Sequence, residues 1–240
     1  VTELVSGKGK TLAEWEATGA EEKIASAEGL YSAGLVLLWK EDYEKALPYF
    51  EKAVKEDSHY AEAYLQIGIC SGRLGRYTEA IEAFKQAIRI EPDDAVVHYN
   101  LGVCYGKLER YTEAVEACKQ AIRIKPDFVD AHYNLGVVYG ELEYFTEAIE
   151  ACKQAIRIKP EYAEAHSNLG VTYGHLGRYT EAIEAFKQAI RIEPDDALVH
   201  YNLGVVYLKL GDKGSALKEY KILKNLDKDS ANKLFNLIYR

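Results

Sequence analysis

The chain has 240 residues, of which 48% are hydrophobic and 28% are charged, a composition typical of folded globular proteins and too apolar for a disordered one. Its net charge of −8 argues against a nucleic-acid partner, because proteins that bind nucleic acid usually carry a basic surface. No apolar run is long enough to predict a membrane span, and four cysteines are too few for a disulfide scaffold.

A period of 34 residues runs through most of the chain. The segment Leu74–Asp94 recurs residue for residue at Leu176–Asp196, with close variants one period apart between them. In chain order, the period gives a head, six repeats and a tail, at 1–26, 27–60, 61–94, 95–128, 129–162, 163–196, 197–230 and 231–240. The head is predicted to form a helix that packs on repeat 1, since Thr11 opens a capping box and Trp15 offers an apolar contact. The tail resembles half of a seventh repeat and is predicted to cap the array.

Each repeat predicts two helices. The second helix opens with glutamates and closes with Lys and Arg, which matches the helix dipole at both ends. The first helix ends at a turn whose residue suits the left-handed conformation in three repeats, at Gly75, Gly177 and Gly211. Glu109 and Glu143 occupy the same place in two others, so glycine is not available in every repeat. Within the first helix a glycine recurs in all six repeats, and we predict that it packs against an alanine twelve positions later, as Gly102 against Ala114.

The period, the Gly–Ala pair, an aromatic residue that opens the second helix and a proline that follows it resemble the tetratricopeptide repeat (TPR). The resemblance covers residues 27–230. It implies an all-α fold, a right-handed α-solenoid superhelix of stacked helix-turn-helix repeats. The first helices would line a concave groove, and the second helices would form the convex back. The sequence departs from the family pattern where histidine replaces the usual Trp or Tyr early in the first helix of four repeats.

Differences between repeats concentrate on the groove. Repeats 61–94 and 163–196 differ at eight positions, all of them in the first helix. An asparagine column runs along this face, and an amide can both donate to and accept from a peptide backbone. A similar asparagine ladder holds peptides in the repeat region of O-linked N-acetylglucosamine transferase. We therefore predict that partners bind an asparagine row, an apolar valine floor and tyrosine walls, formed by Asn100, Asn134, Asn168, Asn202, Val103, Val137, Val171, Val205, Tyr99, Tyr133 and Tyr201.

Two features of this face leave alternatives open. The asparagines either hold a ligand or only bridge neighbouring helices. A glycine column beside the valines either lets a ligand approach the backbone closely or relieves crowding between repeats, at Gly72, Gly106, Gly140 and Gly174. TPR proteins that capture the acidic tails of chaperones use a carboxylate clamp of lysines and an arginine. The corresponding columns here hold no cation, which argues against a chaperone-tail adaptor.

The histidine and cysteine columns are predicted to be structural. A histidine recurs in four repeats, at His98, His132, His166 and His200. Equivalent atoms of stacked repeats lie on the order of 10 Å apart, too far to share a metal ion. Cys118 and Cys152 replace a core phenylalanine, and no nucleophile–base pair or paired acid site can be assembled. The sequence therefore predicts no metal site, no cofactor and no catalytic residue.

The predicted function is a non-enzymatic protein–protein interaction scaffold that binds an extended peptide or a partner helix in the groove. One alternative is a self-associating structural or assembly-factor protein, and another is the adaptor part of an enzyme complex whose catalytic subunit lies elsewhere. Unpaired thiols favour a cytoplasmic location. Because the chain begins at Val1 and holds no methionine, a periplasmic or otherwise exported protein whose leader was removed upstream stays an alternative.

Overall fold

The structure, a computed structural model, describes residues 26–239. Within that range it contains thirteen α-helices and no strand, which confirms the all-α prediction. The helix predicted for the head falls outside the described residues. In chain order the helices are α1 (Ala27–Trp39), α2 (Tyr43–Glu56), α3 (Ala61–Arg73), α4 (Tyr77–Ile90), α5 (Ala95–Lys107), α6 (Tyr111–Ile124), α7 (Val129–Glu141), α8 (Phe145–Ile158), α9 (Ala163–His175), α10 (Tyr179–Ile192), α11 (Ala197–Lys209), α12 (Lys213–Leu226) and α13 (Lys228–Ile238).

The chain divides into two compact bodies, an N-terminal body, Val1–Lys125, and a C-terminal body, Pro126–Arg240. In the N-terminal body, consecutive helices pack against each other from α1 through to α6. The same holds from α7 to α13 in the C-terminal body, where α13 also packs against α11. Each body is therefore built of stacked helix-turn-helix repeats, as predicted. None of the described helices is both long and apolar enough to cross a membrane.

The turn within each repeat requires a left-handed backbone. The three predicted glycines adopt it, with φ of 76° at Gly75, 70° at Gly177 and 78° at Gly211. Glu109 and Glu143 adopt the same conformation, with φ of 58° and 60°, although a Cβ makes it unfavourable. Capping hydrogen bonds hold the turn in place, because the backbone N–H that follows the left-handed residue reaches back to a carbonyl of the first helix. The turn therefore forms whether or not glycine is present.

The recurring glycine of the first helix packs differently from the prediction. Its nearest neighbour is not the alanine twelve positions later but the residue sixteen positions later. A Cβ added to Gly68 would lie 2.6 Å from Cδ1 and Cζ of Phe84, and one added to Gly102 would lie 2.9 Å from Sγ of Cys118. The predicted partner Ala114 is fully buried, but it contributes only its carbonyl oxygen, 3.3 Å from that position. The aromatic ring or thiol of the second helix thus occupies the space that the glycine leaves open.

The last helix, α13, does not follow the repeat. Gly204 is met by Leu234 of α13, whose Cδ2 would lie 2.5 Å from an added Cβ, and not by the residue sixteen positions later. The helix begins at Lys228, ahead of the predicted tail, and Asp227 caps its first turn. Ala231, Leu234 and Ile238 are buried in one core cluster, and together they form a single apolar stripe on α13.

Candidate functional site

All eleven predicted groove residues lie on first helices and are partly exposed. The structure brings six of them into two cavities, one in each body. The other five line neither cavity: Asn134, Asn168, Tyr133, Tyr201 and Val137. We call the cavity of the N-terminal body the N cavity and that of the C-terminal body the C cavity.

The N cavity lies between the first helices of repeats 2 and 3 and has a volume of about 540 Å³. Helix α5 contributes the predicted residues Tyr99, Asn100 and Val103. Helix α3 contributes Ile69, which is the counterpart of the valine in repeat 2, and Gly72. Because these positions follow each other at spacings of three and four residues, each helix turns one strip of its surface into the cavity.

The C cavity repeats this arrangement three periods further along, between α9 and α11, with a volume of about 210 Å³. Its lining includes the predicted residues Asn202, Val171 and Val205. Gly174 takes the place that Gly72 has in the N cavity. The two cavities therefore present the same combination of amide, aliphatic side chain and bare backbone.

Crowding does not account for the glycines at three of the four positions of this column, Gly72, Gly140 and Gly174. A Cβ added to Gly72 would lie 3.6 Å from Sγ of Cys104, which is ordinary van der Waals contact. At Gly174 the nearest atom would be a methyl of Val206 at 3.8 Å, and at Gly140 no described atom comes within 4 Å. These glycines leave accessible backbone that a larger residue would cover.

The asparagine amides are only partly used within the protein. Asn100 donates from Nδ2 to the carbonyl oxygen of Val96 at 2.8 Å, and Asn168 donates to Sγ of Cys152 at 3.3 Å. Asn202 makes no hydrogen bond to the described residues. In the cavities, the side-chain oxygen of Asn100 and both polar atoms of the Asn202 amide can therefore form hydrogen bonds with the backbone of a ligand.

Only one of the predicted tyrosine walls faces a cavity, that of Tyr99. The ring of Tyr133 packs against that of Tyr162, with the centroids 5.2 Å apart, and burial raises the pKa of Tyr133. Tyr162 is fixed in turn, because its hydroxyl donates to Oδ1 of Asp130 at 3.1 Å. Tyr201 packs against the core between α12 and α13. Both side chains join neighbouring elements instead of lining a cavity.

Each of the four histidines of the column forms a hydrogen bond with the loop that precedes its own helix. Nε2 of His98 lies 2.9 Å from the carbonyl oxygen of Pro92, six residues earlier. The same contact recurs at 2.8 to 2.9 Å for His132, His166 and His200. A carbonyl can only accept, so Nε2 carries the proton in each case. In His200 the other ring nitrogen also lies 2.6 Å from Oε2 of Glu219.

The four cysteines are buried and free of disulfides. Burial raises the pKa of the Cys70 and Cys104 thiols to about 11, and it does the same for Cys152, where the Asn168 hydrogen bond acts in the opposite direction. Cys118 and Cys152 are buried in the place of the core phenylalanine, as predicted, and each lies against the glycine of its first helix. Within residues 26–239 no group of three or more His, Cys, Asp or Glu side chains could hold a metal ion.

Sequence reasoning did not assign the cations of the cavities to the site. Arg73 and Lys107 line the N cavity, and His175 and Lys209 hold the same helical position in the C cavity. Each follows the aliphatic floor residue of its helix by four positions, a spacing that places the two on one face and could have identified them. Trp39 holds the equivalent position in repeat 1, where it is 72% exposed.

Tandem two-helix repeats that present cavities along their first helices define a helical-repeat protein. Tetratricopeptide repeat models match residues 27–60, 95–128 and 197–229, and a TPR repeat model matches 73–109, 141–177 and 175–211. The chain belongs to the tetratricopeptide repeat family.

Solved structures with this fold include MamA, at 30% identity and a TM-score of 0.64, with 68% of this chain and 96% of that chain covered. YrrB, a TPR protein with an unusual peptide-binding site, is 24% identical with a TM-score of 0.64, covering 78% of this chain and 97% of its own. PilW, a type IV pilus biogenesis factor, is 22% identical with a TM-score of 0.78, covering 87% and 98%. At these last two identities the likeness concerns the fold alone. No curated protein sequence matches the chain.

Proposed function

We propose that this protein is a non-enzymatic scaffold that binds an extended peptide or a partner helix along its first helices. The observation that carries the proposal is the recurrence of one cavity type at the same helical positions in both bodies. Repeats 61–94 and 163–196 differ only in their first helices, yet both keep an amide side chain, an aliphatic floor residue and the bare glycine there.

The chemistry of the lining suits a peptide. Amides at Asn100 and Asn202 can pair with backbone groups, whereas Val103 and Val205 offer apolar contact to a side chain. Bare backbone at the glycine positions allows a ligand to approach closely. YrrB, which shares the fold, has a peptide-binding site. These groups bind and orient a ligand and include no paired acid and base, so we propose binding and not catalysis.

The experiment is a selection of displayed random peptides on the full chain. The variant Asn100→Ala/Asn202→Ala should recover few peptides, and a peptide selected on the wild type should bind it about tenfold or more weakly, since each lost hydrogen bond costs about 1 kcal/mol. The control Asn225→Ala/Asn232→Ala removes two exposed amides from α12 and α13 and should bind like the wild type. If the asparagine variant binds the selected peptide as tightly as the control variant does, the proposed role of the asparagines is wrong.

Self-association is the second candidate, and exposed apolar side chains on the last helix favour it. Phe235, Leu237 and Tyr239, at and just after the end of α13, are 41%, 37% and 59% exposed, and contiguous exposed apolar side chains often mark an interaction surface. Light scattering over a range of concentrations tests it. A mass that rises with concentration in the wild type but not in Phe235→Ser/Tyr239→Ser would support self-association, and a constant monomer mass would exclude it.

A further inference from the structure

We propose that the two cavities select acidic peptides, in which an Asp or Glu lies about two residues from an apolar side chain. The inference rests on the peptide-binding function proposed above and specifies its ligand class. It starts from the cations that line the cavities, which are Arg73 and Lys107 in the N cavity and Lys209 in the C cavity. Neither cavity is lined by Asp or Glu, although the chain as a whole carries a net charge of −8.

No acidic side chain among the described residues pairs with these cations. Arg73, Lys107 and Lys209 form no ion pair with any described residue. Elsewhere the chain pairs its turn cations locally, for example Arg110 with Glu113 three residues later, at 2.6 Å. Arg73, Lys107 and Lys209 are exposed, so they can attract an anionic group of a ligand in the cavity, and salt in the solvent screens that attraction.

The spacing of the lining residues sets the pattern of the ligand. Arg73 follows Ile69 by one helical turn, as Lys107 follows Val103, and side chains four apart on a helix lie about 5–6 Å from each other. Alternate residues of an extended peptide point to the same side and lie about 7 Å apart. An apolar side chain on the floor therefore brings a carboxylate two residues away within reach of the cation.

This recognition differs from a carboxylate clamp. The columns that hold the clamp cations in chaperone-tail adaptors carry Tyr, Leu, Val, Ile or Asn here. The cations of these cavities lie instead in the last turn of the first helices, four residues after the aliphatic floor residue. The expected ligand thus needs no free carboxyl terminus, because an internal Asp or Glu beside an apolar residue satisfies the site.

The test is the same displayed library of random peptides, selected on three full-length proteins and sequenced. The first is the wild type. The second is the cavity variant, which replaces three unpaired cations by glutamine at Arg73, Lys107 and Lys209. The third is the matched control, which replaces three exposed cations of the second helices by glutamine at Arg123, Arg157 and Arg191. Both variants lose three positive charges, so a difference between them reports the position of the charge and not the net charge.

We expect the wild type and the control to enrich Asp or Glu two residues from an apolar residue, and the cavity variant to recover peptides without that enrichment. A selected acidic peptide should bind the cavity variant about tenfold more weakly at low salt, and added salt should remove most of the difference. Peptides that bind all three proteins with no acidic preference would overturn the acidic specificity and leave peptide binding intact. Acidic peptides that bind the cavity variant unchanged would also overturn it. A wild type that recovers no peptide would overturn both proposals.

Discussion

Two glycines four residues apart on α3 should respond in opposite ways to the same substitution. Both line the N cavity, but Gly68 lies tightly against the ring of Phe84, whereas Gly72 has room for a methyl group. Alanine at either position should gain up to about 1 kcal/mol of helix propensity, with less at Gly72 because it lies in the last turn. At Gly72 the added methyl meets Sγ of Cys104 at 3.6 Å, so nothing opposes this gain.

At Gly68 the same methyl cannot be accommodated. It would lie 2.6 Å from two ring atoms of Phe84, whereas carbon atoms prefer separations of about 3.5–4.0 Å. Phe84 is 1% exposed, and its ring cannot yield without displacing its own neighbours. Overpacking of this kind costs about 1–3 kcal/mol, which exceeds the gain in propensity. Subtracting the gain from this cost, we expect Gly68→Ala to be up to about 2 kcal/mol less stable than the wild type and Gly72→Ala to be slightly more stable.

Urea unfolding followed by circular dichroism measures both variants against the wild type. A higher midpoint for Gly72→Ala together with weaker binding of a selected peptide would show that Gly72 serves the cavity at the expense of the helix. The reasoning fails if Gly68→Ala unfolds at the same midpoint as the wild type, because a ring that moves without cost would mean that the close approach is not required.

Three further predictions concern the turn, the histidine column and the thiols. Replacing Glu109 by glycine should stabilise the protein by about 1 kcal/mol, since its left-handed backbone then carries no Cβ, and an unchanged urea midpoint would argue against strain there. His166→Phe should cost about 1 kcal/mol, because the carbonyl of Pro160 loses its donor while the ring is retained, and equal stability would contradict the role of this hydrogen bond. The Cys104 thiol, with its pKa raised by burial to about 11, should resist alkylation at neutral pH until urea unfolds the chain. Because the unfolded thiol ionises near its ordinary value of 9, Cys104 should make stability fall as the pH rises from 9 to 11, and Cys104→Ala should reduce that fall.

The asparagine row illustrates what a repeat pattern can and cannot predict about a site. Helical periodicity placed Asn100 and Asn202 on the face that carries the cavities, because side-chain direction along a helix follows from spacing alone. The same spacing applied to Asn134 and Asn168, yet neither lines the N cavity or the C cavity. Whether a partly exposed amide meets open space or a neighbour depends on side chains from other repeats, such as Cys152 beside Asn168.

The sequence by itself determined the two helices of each repeat, because these depend on contacts between residues close in the chain. The left-handed turns at Gly75 and Gly177 follow from the same local chemistry. Only the tertiary structure decided which residue fills the space at each helix glycine. Phe84 fills the space at Gly68 from the second helix of the same repeat, whereas Leu234 of α13 fills the space at Gly204. Close packing depends on how helices approach each other and not on the order of their residues.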